Sequence, residues 1–376
     1  MTALLLRYVA LLFVLPGMTT ALAQEAQPQS LPPAVGSVQL ASAAGEPEAA
    51  RLDVGIVIFD PGIPADASTH SKLGIFPEIR KAEAQFMAVI LRQVLLETDA
   101  WGVVRVLPET VASSELLVQG AIVHSDGLRL VLQVRASDAT GRVWLERIYV
   151  DEALESDYPV VPGGDPYLDL YHQIANDLLT IRRQLDAKGL RDIRQIGHLR
   201  YAASLSPDAF GSFLKQGADG IYTLQRLPAQ GDPMMARVQK IRNQEFLFID
   251  TVDEQYAALY AEMAPTYHLW RQYGREQALY REQYQERVAN RERRGRRGTY
   301  IAMEQTYNAY KWSKIHEQDL DELALGFNNE VAPTVIEVGG RVFRLNGTLD
   351  SQYSDWREIL RKIFELETGL PPSGAQ

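Results

Sequence analysis

From Met234 to Asn290 the chain runs for fifty-odd residues with Pro265, Gly274 and few other helix breakers. Apolar and aromatic residues recur there at intervals of three and four: Val252, Tyr256, Tyr260, Met263, Tyr267, Trp270, Tyr273, then Tyr280 and Tyr284. That spacing lines them along one stripe of a helix. At ~1.5 Å per residue such a helix reaches on the order of 80 Å. Pro265 lacks an N–H and crowds the preceding turn, so a kink or break is expected near Ala264–Pro265. Gly295 and Gly298 bracket a tip, and Thr299 to Gly326 is expected to return as a second helix. The spacing therefore predicts a long helical hairpin over residues 233–330.

The part before it reads differently. Leu52 to Phe59 is a buried-strand pattern closed by Asp60-Pro61-Gly62, and Glu78 to Thr98 carries an amphipathic stripe. Gly102 to Leu107 is a second strand. Glu115 to His124 and Leu128 to Ala136 flank Ser125-Asp126-Gly127, a strong hairpin signal. Asp138-Ala139-Thr140-Gly141 turns the chain again into Arg142 to Val150, and Tyr167 to Leu185 reads as a helix. The order β-α-β-β-β-β-α predicts an α+β fold, a mixed sheet with helices on one face, over residues 51–187. Residues 188–232 read as a helical connector, with Ser206-Pro207 and Asp232-Pro233 as helix starts around a Gly-rich stretch. Residues 331–370 read as a small ββα unit: Thr334 to Val338 and Arg341 to Leu345 around Gly339-Gly340, then a helix from Asp350 to Thr368.

The run ELLVQGAIVHSDGLRLVLQVRASDATGRVWLERIYV, preceded by a strand and a long helix, resembles the N-terminal domain of TolB and the related CsgG-like and LpoB-like envelope domains. Gly120, Asp126-Gly127, Asp138, Thr140 and Gly141 carry the likeness, which covers about residues 52–186. Turn chemistry alone accounts for much of it. The resemblance implies a periplasmic interaction domain with no catalytic residues to transfer. No β-propeller repeat follows, in contrast to TolB.

The N-terminus points to the same compartment. A short segment with one positive charge, an apolar run from Tyr8 to Met18 and small residues ending at Ala23 match a secretory signal peptide over residues 1–23, cut before Gln24. Residues 24–50, rich in Gln, Pro, Ala, Ser and Glu, are expected to be a flexible linker. Export to the periplasm removes ATP-driven and genome-binding functions. The net charge of −10 also disfavours nucleic acid and anionic membranes as general partners. The absence of cysteine excludes thiol catalysis, thiolate metal sites and lipidation at a cysteine. No apolar stretch after residue 23 approaches membrane-span length.

Two features of the hairpin stand out as partner-binding candidates. Nine of the seventeen tyrosines fall between Tyr256 and Tyr310. Flat rings suit a glycan such as peptidoglycan, but the helical spacing favours a packed seam with hydroxyls at its rim. Arg287, Arg291, Arg293, Arg294, Arg296 and Arg297 crowd the tip, opposed only by Glu286 and Glu292. A solvated turn tolerates such a cluster, and an acidic partner would use it: lipid headgroups, phosphates or a protein's acidic patch. Tyr280 and Tyr284 lie just behind it.

Catalytic signals are sparse. His70, His124, His172, His198, His268 and His316 show no zinc spacing, and neither a nucleophile elbow nor a phosphate loop occurs. Asp60 and Asp165 are the loop acids to inspect, with turn formation as their expected duty. No cofactor and no metal is expected. The sequence reads as an exported, non-catalytic envelope scaffold or adaptor, possible as an oligomer and associated with the outer membrane in one version. A cell-wall hydrolase and a periplasmic carrier of lipid or small ligand are the alternatives.

Overall fold

The structure is a computed structural model that describes residues 31–111, 114–161, 163–293, 334–338, 341–345 and 348–369. The expected signal peptide, the hairpin's returning limb and the Gly339-Gly340 turn lie outside the described residues.

The strands are β1 (Val54–Val57), β2 (Val104–Leu107), β3 (Leu116–Ser125), β4 (Arg129–Asp138) and β5 (Val143–Glu152). They form a five-stranded sheet in the order β2-β1-β3-β4-β5. β1 runs parallel to both neighbours, pairing Val54 with Val104 and with Leu116, and the rest of the sheet is antiparallel. Helix α1 (Pro77–Glu97) makes the crossover from β1 to β2, and α2 (Leu168–Arg183) follows β5. Along β4, Leu130, Leu132, Val134 and Ala136 are buried while Gln133 and Arg135 are exposed. This period of two means that one face of the sheet is covered by helices. The expected α+β class and strand order hold.

α1 is buried on both sides. Met87, Ala88, Leu91, Val94 and Leu95 join the sheet core, while Ile79, Ala82 and Phe86 pack outward on Tyr267 and Trp270. Its outer face therefore needs a cover, which the long helix supplies. That helix, α4 (Pro233–Arg293), follows α3 (Ala187–Leu205) and a small hairpin of β6 (Leu214–Gln216) and β7 (Tyr222–Leu224). Asp232 opens α4 by accepting from the Met234 N–H at 2.8 Å. The ββα unit comprises β8 (Thr334–Val338), β9 (Arg341–Leu345) and α5 (Leu349–Thr368). Thr348 caps α5, and Gly369 ends it in the left-handed region.

Two expectations need correction, and a third is narrowed. Of the kink or break expected at Pro265 the break does not occur, because Pro265 sits within one continuous helix. Nor is α4 a free arm along most of its length. Val238, Ile241, Phe248, Ile249, Val252 and Tyr256 lie in the main core, so the tyrosine stripe packs on the α+β part. The second correction concerns the linker. Val35 N–H donates to Val150 O, and Val38 and Ala41 N–H groups donate to Asp169 and Asn176 of α2, each bond 2.8 to 2.9 Å long. Ala43 is buried, and Glu46 is paired with Arg182 and Arg183. Composition suggested a tether, but backbone groups bonded to α2 side chains hold this segment in place.

Candidate functional site

Ionic and aromatic contacts fix α4 at three levels. Near its start, Glu245 accepts from the Tyr353 hydroxyl at 2.5 Å, and Phe248 stacks on Tyr353 and Trp356, which seats α5. Further along, Asp250 pairs with Arg105 of β2 at 2.5 Å and Asp253 with Arg92 of α1 at 2.7 Å. Burial pushes the Asp253 carboxyl up to about 6 even though Arg92 opposes the shift.

The third level is a buried, charge-balanced cluster. Arg271 and Glu83 are each 0 % exposed. Arg271 Nη1 donates to Asp165 Oδ2 at 2.7 Å, and its guanidinium lies 4.4 Å from the Tyr267 ring centroid and 4.9 Å from that of Tyr167. Glu83 Oε1 accepts from the Ser125 hydroxyl at 2.6 Å and from Tyr267 at 3.0 Å. Arg80 lies 3.5 Å from its other oxygen. Two arginines thus meet two carboxylates between aromatic faces, the condition under which buried charge is tolerable. Burial opposes the Arg271 charge, but Asp165, the two tyrosines and Glu83 outweigh it and raise its pKa. The cluster joins α1, the β3–β4 turn, the start of α2 and α4, and its groups are shielded from solvent.

Just past it α4 touches the β3–β4 turn. A Cβ on Gly127, at φ +83°, or on Gly274 would fall 2.0 Å from Arg271 O or 2.7 Å from Asp126 O. Only glycine permits this approach.

The candidate binding residues lie beyond that contact. Past Gln277, no described side chain of α4 is buried. Tyr280 and Tyr284 are half-buried and Arg287 is exposed, its Nε donating to Gln283 O at 3.1 Å. Arg291 and Arg293 belong to the helix, while Arg294, Arg296 and Arg297 lie outside the described residues.

The loop acids divide. Asp60 is exposed and accepts from Gly62 N–H, which is a turn role. Asp165 also accepts from Tyr167 N–H, but its other oxygen holds Arg271, a partner more than a hundred residues away that sequence spacing cannot reveal. The histidines are scattered through the fold. His124 Nε2, near the end of β3, lies 2.8 Å from Asp126 Oδ2 in the turn that follows. Burial disfavours the Asp126 charge, yet bonds from His124 and from the Arg129 and Leu128 amides hold its pKa below the usual value. His70 and His172 bond backbone carbonyls. Burial depresses the pKa of His198 and His268, and His316 lies outside the described residues.

Among the described residues, no group of three or more His, Asp or Glu is placed to hold a metal ion. Among them also, no helix is long and apolar enough to cross a membrane. Comparison with protein-family models, with curated proteins and with solved structures finds no match to this chain.

Proposed function

We infer that the protein is an exported, non-catalytic scaffold of the cell envelope, in which the α+β domain supports α4 and the basic end of α4 holds an anionic partner. One observation carries this reading. α4 is clamped to the domain by buried ion pairs as far as Arg271, and it then continues through half-buried and exposed residues as far as Arg287 toward the arginine cluster. The sixteen residues from Ala278 to Arg293 extend ~24 Å past Gln277, the last buried position among the described side chains. A rod fixed at its base and charged at its end suits holding at a distance. The acidic remainder of the chain, net −10 overall, leaves this end as a local exception.

The partner in this reading is an envelope surface or protein bearing phosphate or carboxylate groups, with the periplasm as its compartment. Sedimentation with isolated envelope fractions tests it. Replacing Arg287, Arg291, Arg293, Arg294, Arg296 and Arg297 by Ser should abolish co-sedimentation at low salt and leave the melting temperature unchanged. Raised salt should release the unaltered protein, because exposed charge contacts are screened. Undiminished co-sedimentation of the Ser variant at low salt rejects the reading.

A further inference from the structure

A groove of about 490 Å³ lies between α3, the β4–β5 turn and the β6–β7 hairpin. That volume falls in the ~300–1,000 Å³ range of binding clefts. Ile221, Tyr222, Thr223 and Leu224 all line it. Successive strand residues point to opposite faces, so a groove that touches four in a row borders the strand's edge. Ile193 and Ile196 of α3 form its floor, and Leu185, Ile221 and Leu224 are half-buried along it.

The hydrogen-bond phase of the hairpin fixes which backbone groups face away from β6. Leu214 stands opposite Leu224, Lys215 opposite Thr223 and Gln216 opposite Tyr222. The Gly217 N–H donates to Ile221 O at 2.8 Å, and the Gln225 N–H to Phe213 O at 2.9 Å. Bonded and non-bonded pairs alternate along an antiparallel ladder. Ile221, Thr223 and Gln225 therefore turn their backbone groups toward β6, while Tyr222 and Leu224 turn theirs outward. The Tyr222 N–H bears this out by donating to Thr140 O of the β4–β5 turn at 2.7 Å. The Leu224 N–H and C=O and the Tyr222 C=O, turned the same way, make no hydrogen bond among the described residues. A strand edge in this state is a template for one more strand.

The charges along the groove call for no ionic ligand, because two cations face two carboxylates. Lys188 pairs with Asp192 at 2.5 Å. Asp138 accepts from the Thr140 N–H at 2.9 Å through one oxygen and from Trp144 Nε1 at 2.9 Å through the other. Arg142 is exposed. The complement that the groove lacks is a backbone donor and acceptor carried on an apolar chain. We propose that the outer edge of β7 binds an extended, uncharged peptide segment of a partner protein. The segment adds a strand beside Leu224 and lays alternate apolar side chains against Leu185 and the Ile193–Ile196 floor. This contact uses none of the residues at the end of α4.

The probes are capped hexapeptides that alternate threonine with valine, leucine or phenylalanine, each carrying a fluorophore and titrated by anisotropy. At least one should bind saturably. Methylating every second backbone nitrogen of that peptide should weaken it at least about tenfold in one of the two phases, because only alternate N–H groups face β7. Leu224→Pro removes an N–H that makes no bond to β6, so it should weaken the peptide by about tenfold or more at an unchanged melting temperature. Leu224→Ala, which keeps the N–H, should weaken it less. The methylated peptides keep the test decisive if the proline variant does not fold. The proposal is overturned if no peptide binds saturably, if methylation in either phase leaves affinity intact, or if a folded Leu224→Pro variant binds as well as the unaltered protein. A dimer in sedimentation velocity that Leu224→Pro dissociates would give this edge to a second copy of the chain, and that also overturns it.

Discussion

Arg271 concentrates the energetic argument, because a fully buried cation is stable only while its partners stay. Arg271→Leu strands Asp165 and Glu83 beside a single remaining arginine, Arg80. The expected loss is about 3–5 kcal/mol in urea unfolding. Removing the exposed Lys81–Glu78 pair by Lys81→Ala should cost under about 1 kcal/mol. Comparable losses in the two variants would contradict the assignment of Arg271 as a clamp. Asp151 makes the opposite case, a buried carboxyl that pairs with no cation among the described residues. Burial, aided by Asp169, raises its pKa from 3.8 to about 7 against the opposing Glu152 N–H bond. The folded protein therefore keeps a proton that the unfolded chain releases near pH 4. Its stabilising contribution is full below the unfolded pKa and is lost as pH rises through about 7. Asp151→Asn should leave stability unchanged near pH 4 and raise it above pH 7 by on the order of 2 kcal/mol, after discounting for solvent screening. Thermal unfolding across that range checks it, and parallel pH curves for the two proteins would refute it.

Among the elements, α4 shows best what sequence reveals and what it hides. Its existence, its length and its three-four stripe were legible from Val252 to Tyr284, because periodicity is local. Its partner was not: Phe86 and Tyr267 are rings 5.3 Å apart but far separated in the chain. The β3–β4 turn was legible through Asp126-Gly127, whereas Gly127's second duty, admitting α4, was not. The β6–β7 hairpin escaped notice because three-residue strands carry too little pattern. The break allowed for at Pro265 does not occur, for a related reason. Pro265 is exposed within α4, where the neighbouring turns and the Tyr267 and Trp270 anchors hold the helix through one missing bond. Pro265→Ala should restore that bond and stabilise the protein by roughly 1–3 kcal/mol. A destabilised variant would mean that a bend at Pro265 is needed to seat Tyr267. Gly127→Ala should cost more than about 2 kcal/mol, since it combines a positive φ with a backbone collision.

At the scale of the whole molecule, the sheet, α1 and α4 stack in that order, and the segment before β1 binds α2 in place of swinging free. The helix-on-sheet layer followed from the strand pattern, whereas the stacking of α4 on α1 did not. The candidate site was legible only as a charge run, because no local signal names the surface an arginine cluster meets. The central claim is that the end of α4 holds an envelope partner. It is tested most directly by placing a photo-crosslinking residue at Tyr284 and irradiating intact cells. The account predicts one discrete adduct that disappears when Arg287, Arg291, Arg293, Arg294, Arg296 and Arg297 are replaced by Ser. No adduct, or an adduct that persists undiminished in the Ser variant, would contradict it.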